Sequence, residues 1–253
     1  MTPSLSAILI AKNEDRDLPG CLEALNGLVN EIIVIISDDT TDQTENVAKR
    51  HKAITSSRKF DDYARMRQAS LDKATSEWCL WIDPDERVTP ELAKEIQTVL
   101  AADPPFVAAD IPFSVRFLGR EMRWGGLGSE SHIRLFRRTK AAFVGGALHE
   151  SLRFDGAVAV FKNKIIHEPY RDIPDYMSKL ERYTDLAAQK RFAAGKRFTV
   201  LHHFIYPWEL FSRLILKLGI LDGVPGLTWA RLAAYHSRLK YGKLKRMQKE
   251  KIR

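Results

Sequence analysis

Leu5-Ser6-Ala7-Ile8-Leu9-Ile10-Ala11 and Glu31-Ile32-Ile33-Val34-Ile35-Ile36-Ser37, with the segment Glu14 to Leu28 between them, decide the fold. The two outer segments are short and almost wholly apolar, the pattern of strands covered on both faces of a parallel sheet. Between them Leu18, Leu22, Leu25 and Leu28 recur at three- and four-residue spacing behind acids in the first turn, which predicts an amphipathic helix over Glu14 to Leu28. Strand, helix and strand at this spacing make a βαβ unit.

The same alternation continues outward. Thr40 or Thr41 is placed to cap a helix running to about His51, a further helix spans Asp62 to Ala74, and Trp78 to Ile82 reads as another buried strand. Thr89 as N-cap, Pro90 at the first helical position and Glu91 behind it open the next helix. Through residue 103 this is a doubly wound, nucleotide-binding half. After Asp103-Pro104-Pro105 the texture changes to short β-prone pieces interrupted by glycines such as Gly119, Gly125 and Gly145, up to residue 167. Asp172 to Ala194 then forms a helix stopped by Gly195.

A length of 253 residues suits one α/β body with a C-terminal extension. The apolar share of 45% and charged share of 28% exclude wholesale disorder. A net charge of +8 favours an anionic partner: nucleic acid, a phosphate-bearing substrate or an acidic membrane surface. Cys21 and Cys79 stand far apart, so neither a disulfide framework nor a four-ligand zinc site is expected, and a reducing cytoplasm fits. Lys12-Asn13-Glu14 ends the first apolar run too early for a signal peptide, and no uncharged apolar stretch is long enough to span a bilayer.

Chemistry concentrates at strand ends, where ligands bind in open α/β sheets. Ser37-Asp38-Asp39-Thr40-Thr41-Asp42 follows the second strand, and Asp83-Pro84-Asp85-Glu86 follows Trp78 to Ile82. Carboxylates bunched in this way repel unless a cation or ligand donors compensate them, and a divalent ion shared with substrate phosphates does so economically. For Asp42 and Glu86, helix capping is an equal alternative.

Leu5 to Glu14, Ser37 to Asp42 and Trp81-Ile82-Asp83-Pro84-Asp85-Glu86-Arg87, in this order, resemble the successive motifs of family-2 GT-A glycosyltransferases. Within that family the chain is similar to the bacterial β-1,4-glucosyltransferases that decorate the heptose of the lipopolysaccharide inner core. The likeness runs on through His149-Glu150 to Leu221-Asp222-Gly223-Val224-Pro225-Gly226. It implies a GT-A fold: a Rossmann-like, mostly parallel sheet with helices on both faces, followed by C-terminal amphipathic helices. It also implies a DxD-type motif at Asp83 and Asp85, with Asp85 on the metal and Asp83 toward the donor ribose. Lys12, Asn13, Glu14 and Asp38 are then expected to line the nucleoside pocket, and Arg67 to hold the donor. Relatives carry an acid where Ser37 stands and an Asn where Gln68 stands, so base recognition departs from the pattern there.

Inverting glycosyl transfer needs a base that deprotonates the acceptor hydroxyl while the nucleotide diphosphate leaves from the opposite face. Glu150 is the expected base, with His149 orienting it, in the glycine-bearing stretch Phe143 to Ser151. Mg2+ or Mn2+ is the expected cofactor, with His167 a further candidate ligand for the metal or diphosphate alongside its reading as a structural histidine. Arg134 and Arg137 alternate with apolar residues and face either a phosphorylated acceptor or solvent.

In the extension, Trp208, Phe211, Ile215 and Leu218 share one helical face from Pro207 to Gly219, and a turn at Asp222 to Gly226 leads to a helix from Leu227 that ends in a basic run. Such a helix lies in a membrane interface beside anionic lipids, or else its apolar face packs on the catalytic body while the basic run stays solvated or binds nucleic acid. The division expected is a catalytic domain over 1–197, with a nucleotide half (1–103) and an acceptor half (104–197), and a basic, membrane-associating extension over 198–253. The function expected is transfer of a hexose, glucose from UDP-glucose, to a lipid-linked bacterial saccharide on the inner face of the cytoplasmic membrane, with no nucleic-acid partner. A nucleotidyltransferase, or a catalytically silent nucleotide-sugar binding module at the membrane, is compatible with the same residues.

Overall fold

The computed structural model describes residues 3–128, 130–146 and 149–252, without the side chains of His149, Glu150, Lys251 and Ile252. Both segments that open the chain form strands with the expected limits, β1 (Leu5–Ala11) and β2 (Glu31–Ser37), paired in parallel. The helix between them, α1 (Leu18–Ala24), is shorter than its leucine spacing predicts. Residues 14 to 17 are diverted into a loop whose backbone is held elsewhere: the Glu14 N–H donates to Thr44 Oγ1 at 2.7 Å and the Asp15 N–H to Asp42 at 3.1 Å. Helix α2 (Thr44–Arg50) begins later than a cap at Thr40 or Thr41 requires for the same reason, since Asp42 and Thr44 join the two loops.

Strand β3 (Ile54–Arg58) pairs in parallel with β2. Helix α3 (Tyr63–Lys73) starts on Asp62, whose carboxylate accepts the Arg65 N–H at 2.8 Å. Strand β4 (Trp78–Trp81) pairs in parallel with β1, and β5 (Glu86–Val88) follows the acidic turn. Helix α4 (Pro90–Ala101) has the predicted start, with Thr89 Oγ1 accepting the Leu92 N–H at 3.2 Å. Beyond it come β6 (Ala108–Phe117), β7 (Arg120–Glu121), β8 (Ser131–Arg137), β9 (Ala141–Gly146), β10 (His149–Phe154), β11 (Val158–Val160) and β12 (Ile165–His167). Helices α5 (Ile173–Ala193), α6 (Ile205–Phe211) and α7 (Gly223–Ile252) complete the chain.

The chain divides into two compact units, Met1–Phe113 with Glu130–His167, and Ser114–Ser129 with Glu168–Arg253. In the first, the sheet runs β3-β2-β1-β4-β8-β6. β8 is antiparallel to both neighbours, so one reversed strand interrupts an otherwise parallel array. The sequence order turns around at β1, which lies between β2 and β4, and a crevice outside the carboxyl ends of these strands is where such a sheet binds ligands. Leu9, Ile33, Val34, Leu80, Leu18 and Leu22 are fully buried and form the centre of the core. β9 and β10 form a separate antiparallel hairpin packed on α3.

In the second unit, α5 has the predicted limits with Asp172 as cap, and Gly195 adopts φ +70° at its stop. α5 and α6 pack on α7, where Trp229 meets the rings of Phe117, Tyr170 and Tyr176. The helix expected from Pro207 to Gly219 forms over residues 205 to 216: α6 continues without a break as a π-helix over Ser212–Leu216, and the helix stops before Leu218, which is left-handed at φ +55°. Its end is tied to the glycine loop at residue 125: the Gly125 N–H donates to Lys217 O at 2.8 Å and Arg213 Nη1 donates to Gly125 O at 3.0 Å. The turn expected at Asp222 to Gly226 is instead a 3-10 turn at Gly219–Asp222, and α7 already begins at Gly223. Gly226 is required there, because a Cβ on it would stand 2.0 Å from Gly219 O.

Leu9→Ala should lower the unfolding free energy by about 2–5 kcal/mol, since Leu9 is fully buried in the central strand of the core. Ile54→Ala, at a position 49% exposed, should cost less than about 1 kcal/mol. Urea titration of the two variants checks the contrast.

Candidate active site

The site is built by register. β8 runs antiparallel to β4 with Trp78 opposite Arg137 and Leu80 opposite Leu135, so Arg134 reaches the end of β4 beside Trp81 and the turn that follows. β12 pairs with β5 so that His167 lies directly opposite Glu86. Two strands distant in sequence thereby bring a guanidinium and an imidazole to Asp83-Pro84-Asp85-Glu86. The turn itself is clamped from below. Arg87 Nη1 donates to the carbonyls of Pro84 at 2.8 Å and Glu86 at 2.9 Å, and its Nη2 to Asp17 O at 2.8 Å. Gly20 makes room for this, as a Cβ there would stand 2.6 Å from Arg87 Nε.

The carboxylates divide their partners. Asp83 accepts from Arg67 Nη1 at 2.8 Å and from Arg134 Nη2 at 3.1 Å. Arg134 Nη2 also bonds Glu86, whose other oxygen accepts the Asp83 N–H at 3.0 Å. Both guanidiniums stack on Trp81, with Cζ 4.3 Å (Arg67) and 4.4 Å (Arg134) from the ring centroid. Burial by itself would raise the Asp83 carboxyl, but the two arginines overcome it and hold it well below the ordinary carboxylate range. For Glu86 burial prevails over Arg134, with the Asp83 charge adding to it, and the carboxyl is pushed up to about 7.

Two cations thus face Asp83 and Glu86, and Asp85 is left to His167, whose Nε2 lies 3.5 Å from Asp85 Oδ2. Burial lowers the imidazole's affinity for a proton, yet its bond to Asp85 and the charges of Asp85 and Glu86 outweigh this and raise its pKa above the ordinary value. Asp85, Glu86 and His167 each offer a ligand atom within 4.8 Å of the others. Two carboxylates and an imidazole match the donor set of a divalent cation such as Mn2+, with Mg2+ less at ease beside nitrogen. Because both Glu86 oxygens are engaged, Asp85 and His167 are the better disposed pair. Each Asp83 oxygen already accepts from an arginine.

The other expected residues fall at the neighbouring strand ends. Lys12 pairs with Asp39, and Ser37 Oγ donates to Asp39 at 2.6 Å, so Ser37 acts through Asp39 on the Lys12 position. Asn13, at φ +56°, accepts the Thr41 N–H at 2.8 Å, and Glu14 anchors the same loop through its backbone. Asp38 is exposed at the end of β2. Gln68 is spent on structure: its Oε1 accepts the Phe143 N–H of β9 at 2.8 Å. In the β9–β10 hairpin His149 pairs with Gly146 and Glu150 with Gly145, while their side chains lie outside the described residues. Arg134 does not face solvent, being 6% exposed, and its partnership with Asp83 and Glu86 is not readable from the sequence. Its signal was the alternation Ile133-Arg134-Leu135, which gives the face but not what lies opposite. Arg137, by contrast, pairs with Glu77 and with Asp103.

Residues 6–154 match the family profile described as Glycosyl transferase family 2, more than half of the chain. The chain belongs to glycosyl transferase family 2. This family 2 glycosyltransferase is 25% identical over 248 residues to the lipopolysaccharide core biosynthesis glycosyltransferase LpsC of Rhizobium meliloti, covering 95% of this chain and 91% of that one. Among solved structures it is similar to S. aureus TarS 1-349 in complex with UDP-GlcNAc (12% identity, TM-score 0.48, covering 98% of this chain and 92% of that one). It is also similar to glucosyl-3-phosphoglycerate synthase from Mycobacterium tuberculosis in complex with Mn2+, UDP and phosphoglyceric acid (20% identity, TM-score 0.41, covering 54% and 56%). The fold of this glycosyltransferase is GT-A, with the mostly parallel sheet and C-terminal helices described above.

Arg134→Met should destabilise the enzyme by about 3–5 kcal/mol at neutral pH, because it strands Asp83 and Glu86 with one guanidinium in place of two. Denaturant unfolding measures this, and a loss below about 1 kcal/mol would mean that the network contributes little.

Proposed function

We propose that this glycosyltransferase is an inverting, metal-dependent hexosyltransferase that moves glucose from UDP-glucose to a lipid-linked bacterial saccharide, such as the lipopolysaccharide core, at the inner face of the cytoplasmic membrane. The observation that carries the proposal is the pairing of Asp85 with His167 at 3.5 Å outside the carboxyl end of β4, next to an Asp83 already neutralised by two arginines. Asp85 and His167 would hold Mg2+ or Mn2+, which when bound supplies positive charge for the departing diphosphate. The name of the Rhizobium meliloti relative, to which nearly the whole chain aligns, supports the acceptor class.

Lys12, Asn13, Glu14 and Asp38 line the nucleoside pocket in this reading. The bonds between their two loops through Asp42 and Thr44 support it, since they make a preformed wall that needs no ordering when the donor arrives. Arg67 and Asp83 act as a unit: the guanidinium neutralises the acid, and the quarter-exposed Asp83 carboxylate presents an acceptor to the ribose hydroxyls. Glu150 removes the proton of the acceptor hydroxyl and His149 orients it. No nucleophile on the protein is required, because the acceptor oxygen displaces the diphosphate directly.

Glu150→Gln should lower transfer by about 10²–10⁴-fold while leaving the donor dissociation constant nearly unchanged, as it removes a proton acceptor without removing a donor contact. Wild-type turnover in that variant rejects the base assignment. In calorimetry with manganese against a panel of nucleotide sugars, UDP-glucose should bind most tightly, and Asp85→Ala should abolish the manganese requirement together with slow donor hydrolysis. Release of pyrophosphate in place of nucleoside diphosphate would mark a nucleotidyltransferase instead.

A further inference from the structure

Between Val200 and Val224 the second unit leaves large apolar side chains in solvent. Leu201 and Val224 are about three quarters exposed (79% and 75%), and Phe204, Trp208, Leu216 and Leu221 are each more than half exposed. Soluble monomers rarely show contiguous apolar patches beyond roughly a few hundred Å², and larger ones mark interaction sites. A 3-10 turn at Val200–Phe204, one helix made of α6 and its π continuation over Ser212–Leu216, and a second 3-10 turn at Gly219–Asp222 succeed one another. The helix packs on α7 and still leaves Trp208, Phe211, Ile215 and Leu216 exposed.

Charge decides what covers them. Leu201, His202, Phe204, Trp208 and Tyr241 line an open hollow of about 430 Å³. Cations stand around it: Arg191 Cζ is 5.0 Å and Lys240 Nζ 4.9 Å from the Tyr241 ring centroid, and Lys245 Nζ is 4.8 Å from that of Phe198, which itself lies 5.3 Å from His202. Among the described residues none of these three cations has a carboxylate partner, and the nearby Glu209 is engaged by Arg213 at 3.3 Å. Unneutralised cations rimmed by aromatic rings beside an apolar face match the phosphate and acyl layers of an anionic bilayer. A second copy of the chain is a poorer occupant, because it would bring a like-charged rim to the same face. No helix among the described residues is long and apolar enough to cross a membrane.

We propose that residues 200–224 form a bilayer-docking face, with Leu201, Phe204, Trp208 and Val224 entering the acyl region and Arg191, Lys240 and Lys245 taking the phosphates of anionic lipids. This deepens the membrane reading given above and rests on it. It adds to the helix the flanking turns at Val200–Phe204 and Gly219–Asp222, and assigns Lys240 and Lys245 of the basic run, with Arg191, to the lipid phosphates.

Flotation of the full-length protein with phosphatidylcholine vesicles, with and without phosphatidylglycerol, tests it alongside donor hydrolysis in solution. The wild type should float with the anionic vesicles. The triple variant Leu201→Ser, Phe204→Ser, Val224→Ser should partition at least about tenfold less, and Arg191→Gln, Lys240→Gln and Lys245→Gln about fivefold less each. Donor hydrolysis should be unchanged in all of them, which keeps a folding defect from passing as lost lipid binding. A wild type that binds neither vesicle overturns the membrane reading and this inference together. A wild type that floats, with a triple variant that floats equally well, overturns the docking face alone. Sedimentation showing a wild-type dimer that the triple variant converts to monomer would assign the face to a second copy and overturn the inference too.

Discussion

The Arg134 guanidinium, buried between Asp83 and Glu86 and stacked on Trp81, is the interaction on which the rest of the site depends. Three acids within four residues at a strand end repel one another, and desolvation makes that repulsion costlier. Arg134 and Arg67 remove it for Asp83, and Arg134 opposes it for Glu86. What remains is one carboxylate, Asp85, facing an imidazole. Among the described residues Nε and Nη1 of Arg134 are buried without a hydrogen-bond partner, and the ring faces of Trp81 and Phe113 offset part of that cost. A charge held so tightly fixes the position of the Asp83 carboxylate.

Sheet topology explains how such a site arises from dispersed residues. The parallel strands β1, β2 and β4 present their carboxyl ends together, so loops that begin at Ala11, Ser37 and Trp81 converge without further design. The reversed strand β8 then delivers a side chain to that same edge, and β12 delivers His167 beside β5. Each delivery is set by a hydrogen-bond ladder, which places a side chain more rigidly than a loop does. The hairpin of β9 and β10 is tied to α3 through Gln68 and Phe143, so the departure at Gln68 has a structural use.

The second unit follows different physics. Its helices bury Tyr176, Leu180, Ala230, Ala234 and Leu244 in an ordinary core, while residues 200–224 keep their apolar side chains in water. The hydrophobic term that holds the first unit together is left unspent there.

The sequence by itself determined the limits of β1 and β2, the caps at Asp62, Thr89 and Asp172, the doubly wound first half, and Asp85 with His167 as candidate metal ligands. These were legible because strand burial, capping chemistry and motif order are local or sequential properties. Only the tertiary structure decided that Arg134 belongs to Asp83 and Glu86, that both Asp83 oxygens accept from arginines, and that the helix from Ile205 turns to π geometry and ends on the Gly125 loop. Periodicity states which face a residue occupies and is silent about what stands opposite, because strand register and loop contacts between distant segments are set by packing, after the chain has folded.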